Sequence, residues 1–194
     1  MRENFTFYAY LCLFSSIYDL FLLNLRENFT IMLIRFVVKN LFSFNEATEF
    51  NMLPSKATRL KHHKYKLNDE IDVLKLAAIY GANASGKSNL VKALLYFKLI
   101  IMRGEIIRDL NKSKFKFSAS NQSLPIDFSI EFKTNENEIY YYALTINDNK
   151  IVEEYLSKII TKNKEKLIFH RKQIDNITKV QFFEGFETEE RNKL

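Results

Sequence analysis

The residues best suited to chemistry lie in one loop, G-A-N-A-S-G-K-S at positions 81–88. The chain has only 4 glycines, and two of them, Gly81 and Gly86, fall in this loop. Glycine lets backbone N–H groups approach an anion without a Cβ in the way. Lys87 adds a cation, and Ser88 adds a hydroxyl that can ligate Mg²⁺. The spacing satisfies G-x-x-x-x-G-K-[ST], the Walker A pattern that binds nucleotide phosphates.

The segments on either side of the loop fit the strand–loop–helix context that this motif requires. Residues 73–80 (VLKLAAIY) predict a strand buried on both faces, and residues 88–103 predict a mostly buried helix. An incidental β–α turn is the alternative, and this context disfavours it. The N–H groups at 84–89 would lie at the helix start, where the dipole favours anions. We predict phosphate binding by the whole loop, namely Gly81, Ala82, Asn83, Ala84, Ser85, Gly86, Lys87, Ser88 and Asn89.

The rest of the chain predicts mainly β structure. Residues 32–39 read as a strand, and residues 46–53 read as a second strand paired back on it. Beyond Gly104 the pattern changes, and residues 125–186 predict a β meander whose turns are punctuated by Asn and Asp. Together with the helix after the loop, these elements predict an α/β fold.

Composition limits the class of protein only loosely. Of the 194 residues, 47% are hydrophobic, which is enough to form a core. The net charge of +6 permits an anionic partner without requiring one. The single cysteine, Cys12, excludes an internal disulfide and fits a reducing compartment.

The first 31 residues differ from the rest. Residues 5–25 are strongly apolar and near the ~20 residues that span a bilayer, but they contain an aspartate. The sequence RENFT occurs at 2–6 and again at 26–30, and Met32 then opens a segment that looks like a natural protein start. We interpret residues 1–31 as an apolar extension, either a leader or a mis-assigned start. An amphipathic packing helix and a membrane anchor are the alternatives.

The loop YGANASGKSNLVKAL (80–94) resembles that of ABC-type AAA ATPases, which include the RecF, SMC, OLD and abortive-infection proteins. MLIRFVVKNLFSFNEATEF (32–50) resembles their first β-hairpin, with its Asn-x-x-Ser-Phe turn. EIYYYALTINDNKIVEEYLSKI (138–159), followed by LIFHR (167–171), resembles the antiparallel segment of the abortive-infection branch. The resemblance covers roughly residues 32–172.

This resemblance implies the N-terminal lobe of a cytoplasmic P-loop NTPase, with a mixed sheet around the Walker A helix and an antiparallel β portion. It implies ATP and Mg²⁺ as cofactors, Lys87 and Ser88 as catalytic residues, and Ser88 as the metal ligand. Asn40 and Ser43 fall where the family's hairpin turn approaches the nucleotide. ATP is sandwiched between two protomers in the family, so the implied partner is a second copy or a C-terminal lobe, and no membrane partner is expected.

Other family elements have no counterpart in the sequence. We find no Walker B strand of four apolar residues followed by Asp-Glu, and no signature loop or switch histidine. Residues 32–194 are therefore interpreted as the N-terminal part of such an ATPase domain, truncated before Walker B. We expect ATP binding with little turnover by this chain, and hydrolysis in the complete protein.

Three alternative functions remain for a chain with this loop. A P-loop small-molecule kinase usually begins with the strand before the loop, whereas here a hairpin precedes it. A GTPase would carry Asn-Lys-x-Asp, and NKSK (111–114) and NKIV (149–152) both lack the aspartate. The third is a non-hydrolysing module that binds nucleotide or nucleic acid. Its basis is the segment Lys56–Lys66, in which five Lys/Arg and two His stand in eleven residues, although a solvated basic loop is the simpler interpretation.

Lys112, Lys114 and Lys116 alternate with less polar residues, which predicts a half-exposed strand before a ligand groove.

Overall fold

The structure is a computed structural model, and it describes residues 32–55, 61–68, 71–161, 163–174 and 177–182. The interpretation of residues 1–31 as a leader therefore lies outside the described residues. So does the first half of the basic segment, residues 56–60.

Nine strands and one α-helix make up the described fold. The strands are β1 (Met32–Lys39), β2 (Thr48–Asn51), β3 (Lys64–Lys66), β4 (Asp72–Leu74), β5 (Ile126–Lys133), β6 (Ile139–Asn147), β7 (Lys150–Thr161), β8 (Lys164–Ile174) and β9 (Ile177–Phe182). The helix, α1, spans Lys87–Arg103, and short 3₁₀ turns occupy Lys61–His63, Leu110–Ser113 and Ala119–Gln122. Seven strands form one sheet in the order β2-β1-β5-β6-β7-β8-β9, and β3 and β4 form a separate pair.

The hairpins of the large sheet follow from residue alternation and turn chemistry. In β5, Ile126, Phe128 and Ile130 are buried while the residues between them are half-exposed. The turn between β6 and β7 places Asp148 and Asn149 at φ 49° and 54°, the left-handed region that tight hairpin turns require. These features confirm the predicted β meander, and the antiparallel pairing of β1 with β2 confirms the predicted first hairpin.

Helix α1 packs one side against the sheet. The Phe97 ring lies 5.8 Å from Phe36, 5.7 Å from Phe128 and 5.9 Å from Tyr142, measured between ring centroids. These aromatic contacts place Phe97 at the centre of the main core. The predicted helix is confirmed, but its opposite side is not covered, because Val91 and Leu95 are 58% and 49% exposed.

A smaller core lies on the other face of the sheet. A β-bulge between Leu33 and Arg35 interrupts the pairing of β1 with β5. Ile34 at this bulge joins Leu67, Val73 and Ile139 in a second buried cluster. The β3–β4 pair is thereby held against the sheet.

The strand predicted at 73–80 was wrong in extent and in burial. Only Asp72–Leu74 is a strand, and it pairs antiparallel with β3. Leu76 and Tyr80 are 77% and 91% exposed instead of buried. A strand buried on both faces needs partners on both sides, and beyond the Lys75 N–H, which donates to His63 O at 2.9 Å, no described backbone group bonds to residues 76–80. For the same reason the expected mixed sheet was wrong for the described residues, where every strand pair is antiparallel.

One ion pair is buried between β7 and β8. The Arg171 guanidinium lies 2.9 Å from Glu154 Oε2, and the Tyr142 hydroxyl donates a 2.7 Å hydrogen bond to Glu154 Oε1. Burial raises the pKa of Glu154, and the Arg171 charge opposes that rise. The Glu154 carboxylate is therefore buried against the sheet, where Arg171 and Tyr142 contact it.

Across the described residues, no helix combines the length and the apolar character that crossing a bilayer requires.

Candidate nucleotide-binding site

The start of α1 is open to an anion. Gly86 is the N-cap residue at φ 94°, a conformation that favours glycine. Among the described residues no side chain caps this terminus, and the first turn holds no acidic residue. The first helical bond runs from Leu90 N to Gly86 O at 3.0 Å. The N–H groups of Lys87, Ser88 and Asn89 therefore point out of the helix start, together with the positive end of its dipole.

Lys87 is folded across the loop. Its ammonium donates to the carbonyl of Gly81 at 2.8 Å and to that of Ala82 at 2.7 Å. The carbonyls of the first two loop residues thus hold the Lys87 ammonium. The helix begins at the other end of the same loop, so the ammonium lies beside the helix start. A positive charge and unpaired N–H groups in one place are what a phosphate group needs.

The middle of the loop is a tight, exposed turn. Ala84 has φ 64°, and Ser85 N donates to Ala82 O at 3.3 Å. Asn83 is exposed, as are the loop residues beside it. The backbone of this turn faces solvent, where a ligand can reach it.

Ser88 lies exposed at the helix start, and its hydroxyl can supply one oxygen to Mg²⁺. Within the described part of the chain, no group of three or more His, Cys, Asp or Glu residues could hold a metal. Mg²⁺ commonly takes few protein ligands and fills its shell with phosphate oxygens and water. The residues present fit a metal that arrives with a nucleotide, with Ser88 as the protein ligand.

The turn between β1 and β2 forms one wall of this loop. Asn89 Nδ2 donates to Ser43 Oγ at 3.0 Å. A Cβ placed on Gly86 would lie only 3.1 Å from the same Ser43 oxygen. The structure therefore brings Ser43 to the loop, and this close approach is a second reason why position 86 is glycine.

The family comparison agrees with this geometry. Residues 76–190, more than half of the chain, match a family described as "AAA domain, putative AbiEii toxin, Type IV TA system". The chain belongs to this family. AAA domains are nucleotide-binding ATPases of the P-loop type, so this confirms the resemblance to abortive-infection-like ATPases. Comparison with curated proteins and with solved structures found no match.

Asn40, directly after β1, does not face the loop. It is fully buried at φ 55°, and its Nδ2 lies 2.8 Å from Asn121 O, 3.0 Å from Leu124 O and 3.1 Å from Pro125 O. Its Oδ1 accepts from Asn121 Nδ2 at 3.1 Å. Asn40 thus fixes the position of the turn that carries Ser43 and acts as a positioning residue.

Replacing Asn40 with alanine is expected to lower the free energy of unfolding by about 1–3 kcal/mol, because buried carbonyls lose their donor. Chemical denaturation would measure the change. Asn51→Ala is the matched control, since Asn51 is exposed and makes a surface hydrogen bond to Glu49, and it should cost less than about 0.5 kcal/mol. Equal losses in the two variants would contradict this role for Asn40.

Sequence reasoning missed the loop that follows α1. The expected half-exposed strand at Lys112–Lys116 is wrong, because Leu110–Ser113 is a 3₁₀ turn. Lys114 is 2% exposed and donates to Gln122 O and to Asn147 Oδ1, both at 3.0 Å. No sequence signal marks these contacts, because a buried lysine with neutral partners looks like any other lysine in the chain.

The described end of the basic segment lies on the small β3–β4 pair. Lys64 and Lys66 are strand residues of β3, and Tyr65 between them contacts Lys133 by a hydrogen bond of 3.2 Å. The Lys133 ammonium also lies 4.7 Å from the Tyr65 ring centroid. These contacts do not test nucleic-acid binding by residues 56–66, which stays a prediction.

Proposed function

We propose that this chain binds Mg·ATP at residues 81–89 and serves as the nucleotide-binding lobe of an ATPase of the phage-defence or DNA-maintenance type. The observation that carries the proposal is the uncapped helix start at Gly86 with the Lys87 ammonium held across the same loop. Backbone N–H groups would bind the phosphates, and Lys87 would stabilise negative charge on the transferring phosphoryl group. Ser88 would ligate Mg²⁺, which supplies further charge neutralisation when it is bound.

The uncovered side of the loop region supports a polypeptide partner. Val91 and Leu95 of α1 are exposed, as are Leu76, Ile79 and Tyr80 before the loop. Within the described residues no backbone–backbone hydrogen bond involves positions 76–80. Exposed apolar side chains and unpaired backbone groups together favour cover by protein. We infer that a second copy of the chain or a further lobe completes the site there, in the cytoplasm.

A non-hydrolysing nucleotide-binding module is the second candidate. Hydrolysis by P-loop ATPases uses a carboxylate that holds Mg²⁺ and a residue that orients water. Among the described residues no carboxylate belongs to a cluster that could hold a metal, and the Glu154 carboxylate forms an ion pair with Arg171. Binding without turnover by the chain alone would fit this arrangement.

Titration calorimetry with Mg·ATP, with phosphate release followed in the same samples, tests the proposal. Binding without release would support a lobe that depends on its partner for hydrolysis. Binding with release would show that the chain hydrolyses ATP by itself and would exclude the non-hydrolysing module. No binding to chain that is folded by circular dichroism would contradict the proposed function.

A further inference from the structure

The loop formed by residues 113–124 is attached to the β1–β2 turn near both of its ends. Phe42 N donates to Ser113 O at 2.7 Å, and Asn121 Nδ2 donates to Asn45 Oδ1 at 2.7 Å. These contacts stand on either side of Ser43, the turn residue that lies against Gly86. The 113–124 loop therefore borders the same turn that forms one wall of the phosphate loop.

Internal contacts hold the 113–124 loop in one conformation. The buried Lys114 ammonium donates to Gln122 O, and the Gln122 side chain returns a 3.2 Å hydrogen bond to Phe115 O. The Ser118 and Ser120 hydroxyls lie 2.8 Å apart. Several hydrogen bonds across so short a segment restrict its backbone, including the backbone that carries Phe117.

Phe117, in the middle of this loop, is 94% exposed. Its ring meets the Phe115 ring edge-on, with centroids 5.8 Å apart. One face of a large apolar ring is thus open to solvent although the backbone that carries it is well anchored. An exposed aromatic ring on anchored backbone offers an apolar face on which a base can stack.

The position of Phe117 suits contact with the base of a nucleotide. It stands four residues from Ser113 and four from Asn121, so its Cα lies within about 14 Å of each. Both attachment points adjoin the turn that contacts Gly86. A base extends beyond its phosphates through the ribose, so a residue that stacks on it must lie near the phosphate loop but outside it.

We propose that Phe117 stacks on the base of the nucleotide whose phosphates bind residues 81–89. The inference rests on the proposed function and adds to it the residue that contacts the base. Among the described residues Tyr80 is a second exposed aromatic near the loop, at 91%, but its segment makes no backbone–backbone hydrogen bond to described residues. The backbone at Phe117, in contrast, lies in a segment that hydrogen bonds already hold, so less ordering is required when the base arrives, which favours Phe117 as the stacking partner.

Calorimetry on the full chain with Mg·ATP and with Mg·tripolyphosphate, which has no base, separates this inference from the proposed function. Phe117→Ala is expected to weaken Mg·ATP binding by roughly 5- to 100-fold and to leave tripolyphosphate binding unchanged. Unchanged ATP affinity, equal losses for the two ligands, or a selective loss in Tyr80→Ala alone would overturn the inference. Failure of the wild-type chain to bind either ligand would contradict the proposed function and with it this inference.

A fluorescence measurement provides an independent test because the chain contains no tryptophan. In Phe117→Trp the single indole should be quenched by Mg·ATP and not by Mg·tripolyphosphate. Ile177→Trp is the matched control, since Ile177 is 62% exposed at the far edge strand β9 and should respond to neither ligand. Quenching of both indoles, or of neither while calorimetry reports ATP binding, would overturn the stacking of Phe117 on the base.

Discussion

Replacing Lys87 with alanine is expected to weaken Mg·ATP binding by about 10- to 100-fold, the loss typical of a charge-assisted hydrogen bond. The ammonium is held beside the unpaired N–H groups of α1 by the carbonyls of Gly81 and Ala82. Removing it leaves the backbone groups in place but takes away the only side-chain cation of the loop 81–89. Titration calorimetry of wild-type and variant chains would measure the difference.

Lys98→Ala provides the matched control for this experiment. Lys98 lies on the same helix, is exposed, and carries the same charge about three turns from the helix start. It should change the affinity for Mg·ATP less than twofold, since an exposed charge at that distance is screened. Equal affinities in wild-type chain and Lys87→Ala, with both folded, would contradict the role of Lys87.

Replacing Glu154 with leucine is expected to lower the free energy of unfolding by about 3–5 kcal/mol, because it removes the carboxylate that pairs with the buried Arg171 charge. The side chains of Arg171 and Glu154 are only 11% and 6% exposed, so water cannot take over the lost contact. The double variant Glu154→Leu/Arg171→Met should recover most of the loss, since it buries no unpaired charge. Urea denaturation of the single and double variants would measure both effects.

Glu153 gives a control at the neighbouring position on the opposite face of β7. It lies 2.8 Å from His170 Nε2 and 3.2 Å from Lys172 Nζ, with its side chain 35% exposed. Glu153→Leu should cost less than about 1 kcal/mol, as solvated ion pairs usually do. A larger loss for Glu153→Leu than for Glu154→Leu, or no recovery in the double variant, would contradict the account of this pair.

Much of the fold could be predicted because its signals are local. The alternation in β5 and the Asp148–Asn149 turn are properties of adjacent residues, and both predicted the meander. The strand expected at 73–80 failed because apolar residues show only that a segment prefers to be covered. Whether another segment covers Leu76 or Tyr80 depends on residues distant in the sequence. Among the described residues both side chains are exposed, and residues 76–80 form no strand.

The phosphate loop could likewise be predicted from eight consecutive positions, since Gly86 and Lys87 act through the local backbone. The residues that position the loop could not be predicted from a local pattern, and only the family resemblance placed Ser43 near the loop. Asn89 meets Ser43 from 46 positions away, and Asn40 meets Asn121 from 81 positions away. Such contacts are set by how β1 pairs with β5, which one sequence does not encode in any short pattern.

Hydrogen–deuterium exchange with and without Mg·ATP directly tests whether the nucleotide binds at residues 81–89, because it reports which amides the nucleotide protects. We expect protection at residues 81–90, where the N–H groups of the helix start would be bound to phosphate, and weaker protection in Lys87→Ala at the same ATP concentration. ATP binding that leaves residues 81–90 unprotected and protects another part of the chain would show that this loop is not the nucleotide site.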